Sequence, residues 1–270
     1  MARIYSLHFS LFSMARIISF INQKGGTGKS TSAVNTAAYL AHRGKYVLLI
    51  DLDPQANATS GLGFAPQKLD KSLYDVLTQG DLPDGIIQRT QLTGYDLLPS
   101  SYDLAGASIE LVNVPRREFV LADIIRKIRH NYDYVIIDSP PSLGLLTVNG
   151  LVASEYVVIP VQCEYYALEG LGQLLNTIEM IKANIAQNIQ VLGVLLTMFD
   201  RRNRLSWEVE KELRRNYPGR VFEAVVPRNI SLAEAPSFGK TILEHDPLSR
   251  GATAYRLLAD EIIQLTTHTA

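Results

Sequence analysis

The sequence predicts a doubly wound α/β domain: a mostly parallel sheet with helices on both faces. Three observations predict it. Short, unbroken apolar runs recur at Ile17–Ile21, Tyr46–Ile50, Tyr134–Ile137, Tyr156–Val161 and Val191–Thr197. Stretches of helical length lie between and after them, at 119–130, 144–153, 168–186 and 205–217. Runs without apolar/polar alternation belong to strands buried on both faces, and parallel neighbours need a crossover that a helix supplies. Finally, aspartates and glycines gather where the runs end, and ligands of an open α/β sheet sit at the carboxyl ends of the strands.

Taken in order, residues Ile4–Phe12 are apolar and aromatic but interrupted by Ser6, His8 and Ser10, and Met1-Ala2-Arg3-Ile4 is repeated as Met14-Ala15-Arg16-Ile17. Residues 1–13 therefore read as an N-terminal extension outside the core, with Met14 as an alternative start and 14–270 as a single domain. The first strand follows at once, then a glycine-rich loop, then a helix over Lys29–Arg43 that Gly44 caps. The second run ends in Asp51 and Asp53, and Pro54 stops any helix there. Gly61–Ser101 reads as loops with one short helix near Ser72–Leu77. The run Tyr134–Ile137 ends in Asp138. A closing helix spans Ala252–Leu265, with Ala254, Leu257, Leu258, Ile262 and Leu265 on one side.

Composition narrows the function classes. The formal net charge of the 270 residues is −1, so bulk charge gives no argument for a nucleic-acid partner; DNA contact needs a local patch. The one cysteine, Cys163, can form no internal disulfide, which fits a reducing, cytoplasmic compartment, and its setting is that of a small buried residue. No stretch reaches the roughly 18–20 apolar residues of a membrane span.

The strongest chemical signal is Lys24-Gly25-Gly26-Thr27-Gly28-Lys29-Ser30-Thr31 between the first strand and the first helix. Glycines let a backbone turn tightly and aim its N–H groups at phosphate oxygens, and the helix N-terminus behind them favours an anion. Lys29 is placed to reach the outer phosphates of a nucleotide, Ser30 to hold Mg²⁺ and Thr31 to donate a further hydrogen bond. The match to the standard P-loop is incomplete, because Gln23 stands where that pattern has its first glycine, and a lysine, Lys24, opens the loop instead. Asp138, ending a buried strand, suits Mg²⁺ through water, and a carboxylate in the Asp51–Asn57 loop suits orientation of an attacking water.

These residues resemble the ParA/MinD family of P-loop ATPases. The loop matches that family's deviant Walker A motif. Asp51-Leu-Asp-Pro-Gln-Ala-Asn-Ala-Thr59, Ile137-Asp-Ser-Pro-Pro-Ser142, Glu164-Tyr-Tyr-Ala-Leu-Glu-Gly-Leu171 and Val226-Pro-Arg-Asn-Ile-Ser-Leu-Ala-Glu-Ala-Pro-Ser-Phe-Gly-Lys240 follow in the family's order, the last two pointing to the chromosome-partitioning branch called ParA or Soj. The match runs from about Arg16 to the end. The resemblance implies an ATP- and Mg²⁺-dependent sandwich dimer in which Lys24 reaches the partner's ATP. It implies that Asp53 promotes hydrolysis and serves the metal site with Ser30 and Asp138, that Asp51 neighbours it in the first switch, and that Asp138 opens the second. Gly25, Gly26, Thr27, Gly28, Lys29, Ser30 and Thr31 would hold the phosphates, with Pro227, Arg228, Thr197 and Met198 by the adenine. It further implies non-specific double-stranded DNA binding by the ATP dimer, a ParB-type centromere-binding partner that stimulates hydrolysis, and nucleoid association in the cytoplasm.

For DNA itself, Arg201, Arg202 and Arg204 cluster, and Lys211, Arg214 and Arg215 share a helix face; the alternative is a solvated face balanced by Glu208, Glu210 and Glu212. Relatives carry an arginine aligned with Arg202 that matters for DNA and often a basic residue where this chain has Ser231, so Lys240 and Arg250 are added to the expected contacts. Four rival readings remain. A MinD-like membrane switch needs a basic amphipathic tail, and no lysine or arginine follows Arg256. A cluster-bridging redox ATPase needs paired cysteines. A metabolic phosphotransferase would not need Lys24. A ParA-like positioner of a plasmid, microcompartment or receptor cluster shares every motif.

Overall fold

The computed structural model describes residues 14–164, 167–185 and 189–267, so the expected extension over 1–13 lies outside the described residues. The strands are β1 (Arg16–Phe20), β2 (Val47–Asp51), β3 (Gln88–Arg89), β4 (Tyr95–Leu98), β5 (Tyr134–Asp138), β6 (Tyr156–Gln162), β7 (Gln190–Phe199) and β8 (Val221–Pro227). They form one sheet in the order β3-β4-β2-β5-β1-β6-β7-β8, antiparallel only at β3–β4. The helices, in chain order, are α1 (Lys29–His42), α2 (Asn57–Gly61), α3 (Leu73–Thr78), α4 (Leu104–Glu110), α5 (Val120–Ile128), α6 (Leu145–Ala153), α7 (Ala167–Ile185), α8 (Arg204–Asn216), α9 (Ile230–Glu234), α10 (Ile242–His245) and α11 (Arg250–Thr267).

Both faces of the sheet are buried, as the unbroken runs require. In β2, Val47 and Leu49 join the apolar cluster under α1 and α11, while Leu48 and Ile50 point the other way, into the cluster with α3, α4 and α5. A third cluster holds Val157, Ile159 and Val161 of β6 against α7 and α8. α1 is buried nearly all round from Ser32 to Ala41; its alanines let it fit between the sheet and α11. In α5, Leu121, Ile124, Ile125 and Ile128 follow helical spacing and are the buried residues. Gly44, at φ 78°, closes α1 by donating to the Ala41 carbonyl at 2.8 Å. Cys163 is buried, which pushes its thiol up to about 12.

Three readings change. Gly61–Ser101 is not only loops with one helix: it supplies β3 and β4. Asp96 interrupts the apolar run of β4, and its carboxylate accepts from the Tyr132 hydroxyl at 3.1 Å. β8 also went unpredicted. Among the described residues it pairs only with β7, and its exposed Glu223 breaks the apolar run. In α11 the inward stripe includes Gly251, Ala252, Ala254, Tyr255, Leu258 and Ile262; Leu257 is 48% exposed, because small residues and a tyrosine, not the leucine, face the sheet.

β1 lies between β5 and β6, so the chain winds outward in both directions from it, and the crevice at its carboxyl end is the place for a ligand. The register puts Phe20 beside Asp138 and Asp138 beside Asp51, so three strand ends meet at that crevice.

Candidate nucleotide site

The loop leaving β1 is anchored before it reaches α1. Asn22 Nδ2 donates to the Pro160 carbonyl in β6 at 2.7 Å, while its Oδ1 accepts from the Lys24 amide at 3.0 Å. Thr197 Oγ1 in β7 donates to the Thr27 carbonyl at 2.8 Å. Between these anchors the chain turns through left-handed backbone at Gly26 (φ 75°) and Gly28 (φ 82°), where a Cβ would be strained. No side chain caps α1, so the amides of its first turn stay free for an anion. A Cβ built on Gly25 or Gly26 meets nothing within 4 Å, so the glycines leave a concavity open.

That concavity is part of a hollow of about 480 Å³, the size of a small-molecule site. The predicted Gly25, Gly26, Gly28, Lys29, Ser30, Thr31, Asp53 and Met198 all line it; Thr27 is buried below it as an anchor. Lys29 is 6% exposed, and its ammonium donates to the Lys24 carbonyl at 3.5 Å. Burial lowers its pKa, opposed by the carboxylates of Asp138 and Asp53. Met198 sits at φ 51° in an irregular stretch of the β7–β8 pairing; such irregularities re-aim side chains beside sites.

Asp138 is completely buried, and among the described residues neither of its oxygens makes a hydrogen bond of good geometry, although the Ser30 hydroxyl lies close. Its pKa is raised, first by burial and then by the neighbouring Asp51, while the nearby Ser30 hydroxyl and Lys29 oppose the shift. A buried carboxylate so poorly supplied with donors calls for a cation or an ordered water. Among the described residues no group of three or more His, Cys, Asp or Glu could hold a metal ion. The donor set is therefore one hydroxyl and one or two carboxylates. That suits Mg²⁺, which keeps several waters and takes phosphate oxygens, and does not suit an ion caged by protein alone. Asp53 has its Oδ1 capped by the Gln55 amide at 2.9 Å.

Lys24 is turned away from this hollow. Its ammonium pairs with Glu164, whose other oxygen accepts from Gln162, and its side chain is 53% exposed. Pro227 and Arg228 line a second, larger hollow of about 990 Å³ with Arg202, Trp207 and Arg250. The structure thus places Met198, but not Pro227 or Arg228, on the wall of the phosphate-side hollow.

The predicted DNA contacts separate into three places. Arg202 is 89% exposed and holds Asp200 with two nitrogens, at 3.1 and 3.0 Å, which brings that carboxyl down to about 2. Arg204 pairs with Glu208 at 2.7 Å. Lys211 and Arg215 are exposed on α8 and make no ion pair among the described residues. Arg214 does not join them: it folds back onto Glu210, Glu223 and the Phe222 carbonyl, tying α8 to β8. Its guanidinium thus has acceptors on its own fold, while Lys211 and Arg215 have no ion-pair partner among the described residues. Lys240 lines the phosphate-side hollow rather than the arginine-rich one. Ser231 donates to Asp246 at 2.8 Å.

Sequence reasoning missed the residue that brings Lys240 there. Asn35, buried in α1, donates to the Thr31 carbonyl at 2.8 Å and accepts from the Ile242 amide at 2.7 Å, clamping α10 to α1. Its one signal was an asparagine amid alanines in a helix interior, where the residue is unfavourable without a buried partner.

Comparison with known proteins agrees with this geometry. A family model described as an AAA domain matches residues 15–191. The sporulation initiation inhibitor protein Soj of Bacillus subtilis is 50% identical, over 92% of this chain and 98% of that protein. The chromosome-partitioning ATPase Soj of Thermus thermophilus is 49% identical, over 94% and 97%. Among solved structures, cobyrinic acid a,c-diamide synthase of Mycobacterium smegmatis with a bound ATP analogue and magnesium superimposes with a TM-score of 0.84 at 36% identity, covering 95% of this chain and 97% of that one.

Proposed function

The chain belongs to the Soj/ParA family of chromosome-partitioning P-loop ATPases, and on that premise we propose that it is an ATP-driven DNA-partitioning switch, with residues 14–270 as its ATPase domain. The 480 Å³ hollow would take ATP with Mg²⁺, the amides of Gly25–Thr31 and Lys29 holding the phosphates and Ser30 and Asp138 serving the metal. The metal, when bound, neutralises charge on the outer phosphates. Asp53 orients the attacking water.

The observation that carries the switch reading is the direction of Lys24. It opens the glycine-rich loop, yet lies half exposed on Glu164 and is not among the residues that line the hollow. A second copy facing this edge offers the lysine a nucleotide to complete, so ATP favours the dimer. The dimer then presents two sets of Arg202, Lys211 and Arg215 to non-specific double-stranded DNA, and a ParB-type partner releases it by stimulating hydrolysis. Among the described residues no helix is long and apolar enough to cross a membrane, and nucleoid association follows from the DNA step.

The test is DNA binding by the pure protein without nucleotide, with ADP, with ATP, and with ATP in Lys24→Ala, across a salt series. Binding only with ATP, steeply weakened by salt and lost in the variant, is the expected result. Binding in no state overturns the DNA step and leaves the ATPase intact; equal binding in all states overturns the switch.

A further inference from the structure

We propose that Ser100 and Thr59 are positioning residues for hydrolysis, acting through the backbone of Asp53; this rests on the reading of Asp53 as the residue that orients water. Neither belongs to the glycine-rich loop, and Ser100 lies in a segment whose sequence reads as loop. The topology brings them in: β4 runs parallel beside β2, with Leu98 opposite Ile50, so the residues after each strand end side by side.

The hydrogen bonds there form a closed ring. The Ser100 amide donates to Thr59 Oγ1 at 2.9 Å, and Thr59 Oγ1 donates to Asp51 Oδ2 at 2.7 Å. The Thr59 amide reaches the same Asp51 oxygen at 2.8 Å, while Asp51 Oδ1 accepts from the Asp53 amide at 3.2 Å. Ser100 Oγ closes the ring by donating to the Asp53 carbonyl at 2.8 Å. Asp51, Thr59 and Ser100 are all fully buried.

The consequence lies in what the ring holds. It ties the peptide unit before the Asp53 Cα through its N–H and the unit after it through its C=O. The Asp53 side chain stays on the wall of the hollow. Neither Thr59 nor Ser100 lines that wall, so neither is placed to touch the nucleotide. Buried, satisfied polar networks specify one arrangement, and phosphoryl transfer depends mainly on positioning. Releasing one end of the Asp53 backbone lets its carboxylate sample positions away from the water, which costs turnover and not nucleotide affinity.

The test is a cycle of Ser100→Ala, Asp53→Ala and the double variant. The readouts are phosphate release at saturating ATP and Mg²⁺, the Kd of a fluorescent ATP analogue, and thermal melting. Ser100→Ala is expected to lower kcat about tenfold, with Kd within twofold of wild type and no further loss in the Asp53→Ala background, because residues acting as a unit are non-additive. Thr59→Ser, which keeps the hydroxyl, is expected to retain turnover, and Thr59→Val to lose it. A wild-type kcat in Ser100→Ala, or an equal loss in the Asp53→Ala background, overturns the proposal. If Asp53→Ala itself turns over normally, the reading of Asp53 fails instead. Should Ser100→Ala fail to fold, the Thr59→Ser and Thr59→Val pair decides by the same kcat readout.

Discussion

Gly25→Ala separates the phosphate site from the fold more cleanly than any loop lysine does. Gly25 is not in the left-handed region, unlike Gly26 and Gly28, and a Cβ at residue 25 meets no atom within 4 Å. The substitution therefore carries no strain in the empty protein, and the loss of chain freedom in the unfolded state stabilises it by roughly 0.4–1 kcal/mol. For a domain of this size that is a rise in Tm of about one to four degrees. The same methyl stands in the open side of the hollow that Lys29 and Ser30 line, where the phosphates are to lie. Overpacking a fitted site by one methyl costs about 1–3 kcal/mol, which is a roughly 5- to 150-fold loss of ATP affinity. Melting by scanning calorimetry, with and without Mg²⁺ and ATP, reads both effects in one sample. The expected outcome is an apo Tm at or above wild type and a ligand-induced rise cut by up to about ten degrees, since ligand stabilisation grows with the logarithm of ligand over Kd. A lower apo Tm would show that the loop backbone is not as built. A normal apo Tm with a normal ligand-induced rise would move the phosphates elsewhere.

Lys29→Ala should abolish nucleotide binding in isothermal titration, because no other buried cation lines the hollow among the described residues. Arg202→Ala should weaken DNA binding and flatten the plot of log affinity against log salt, by about one unit for each phosphate the arginine neutralises; an unchanged slope would remove Arg202 from the DNA-facing surface. Burial raises the carboxyls of both Asp51 and Asp138. At low pH the folded and unfolded chains both hold these protons. As pH rises past 3.8 only the unfolded chain releases them, until the raised folded values are reached, near 6 for Asp51. Stability of the nucleotide-free protein should therefore fall from pH 4 towards neutrality, seen as a falling Tm. Asp138→Asn, whose parent oxygens make no hydrogen bond of good geometry among the described residues, should flatten that fall while removing Mg²⁺-dependent nucleotide binding, and a fall of wild-type steepness in the variant would assign it to other groups.

What the sequence by itself determined was local. A strand, a turn needing glycine and a helix start are consecutive in the chain, so the loop Lys24–Thr31 and its order before α1 were readable, as were the aspartates ending β2 and β5. Unbroken apolar runs named strands buried on both faces, and the sheet is parallel except at one edge. β4 and the edge strand β8 escaped because Asp96 and Glu223 interrupt their apolar runs, and the edge strand β3 because it is only two residues long. The tertiary structure alone decided which distant groups share a space. Asn35 clamps α10 and so brings Lys240 to the phosphate-side hollow. The β7–β8 pairing carries Pro227 and Arg228 into the arginine-rich hollow, and Glu210, Glu223 and the Phe222 carbonyl take up the guanidinium of Arg214, which stays exposed on α8. Ser100 reaches Asp53 only because β4 docks on β2, across 47 residues of chain. The physical reason is the same in each case: spacing along a helix or strand fixes which face a side chain takes, while a hydrogen-bond partner far along the chain is fixed by strand order and register, which no local pattern encodes.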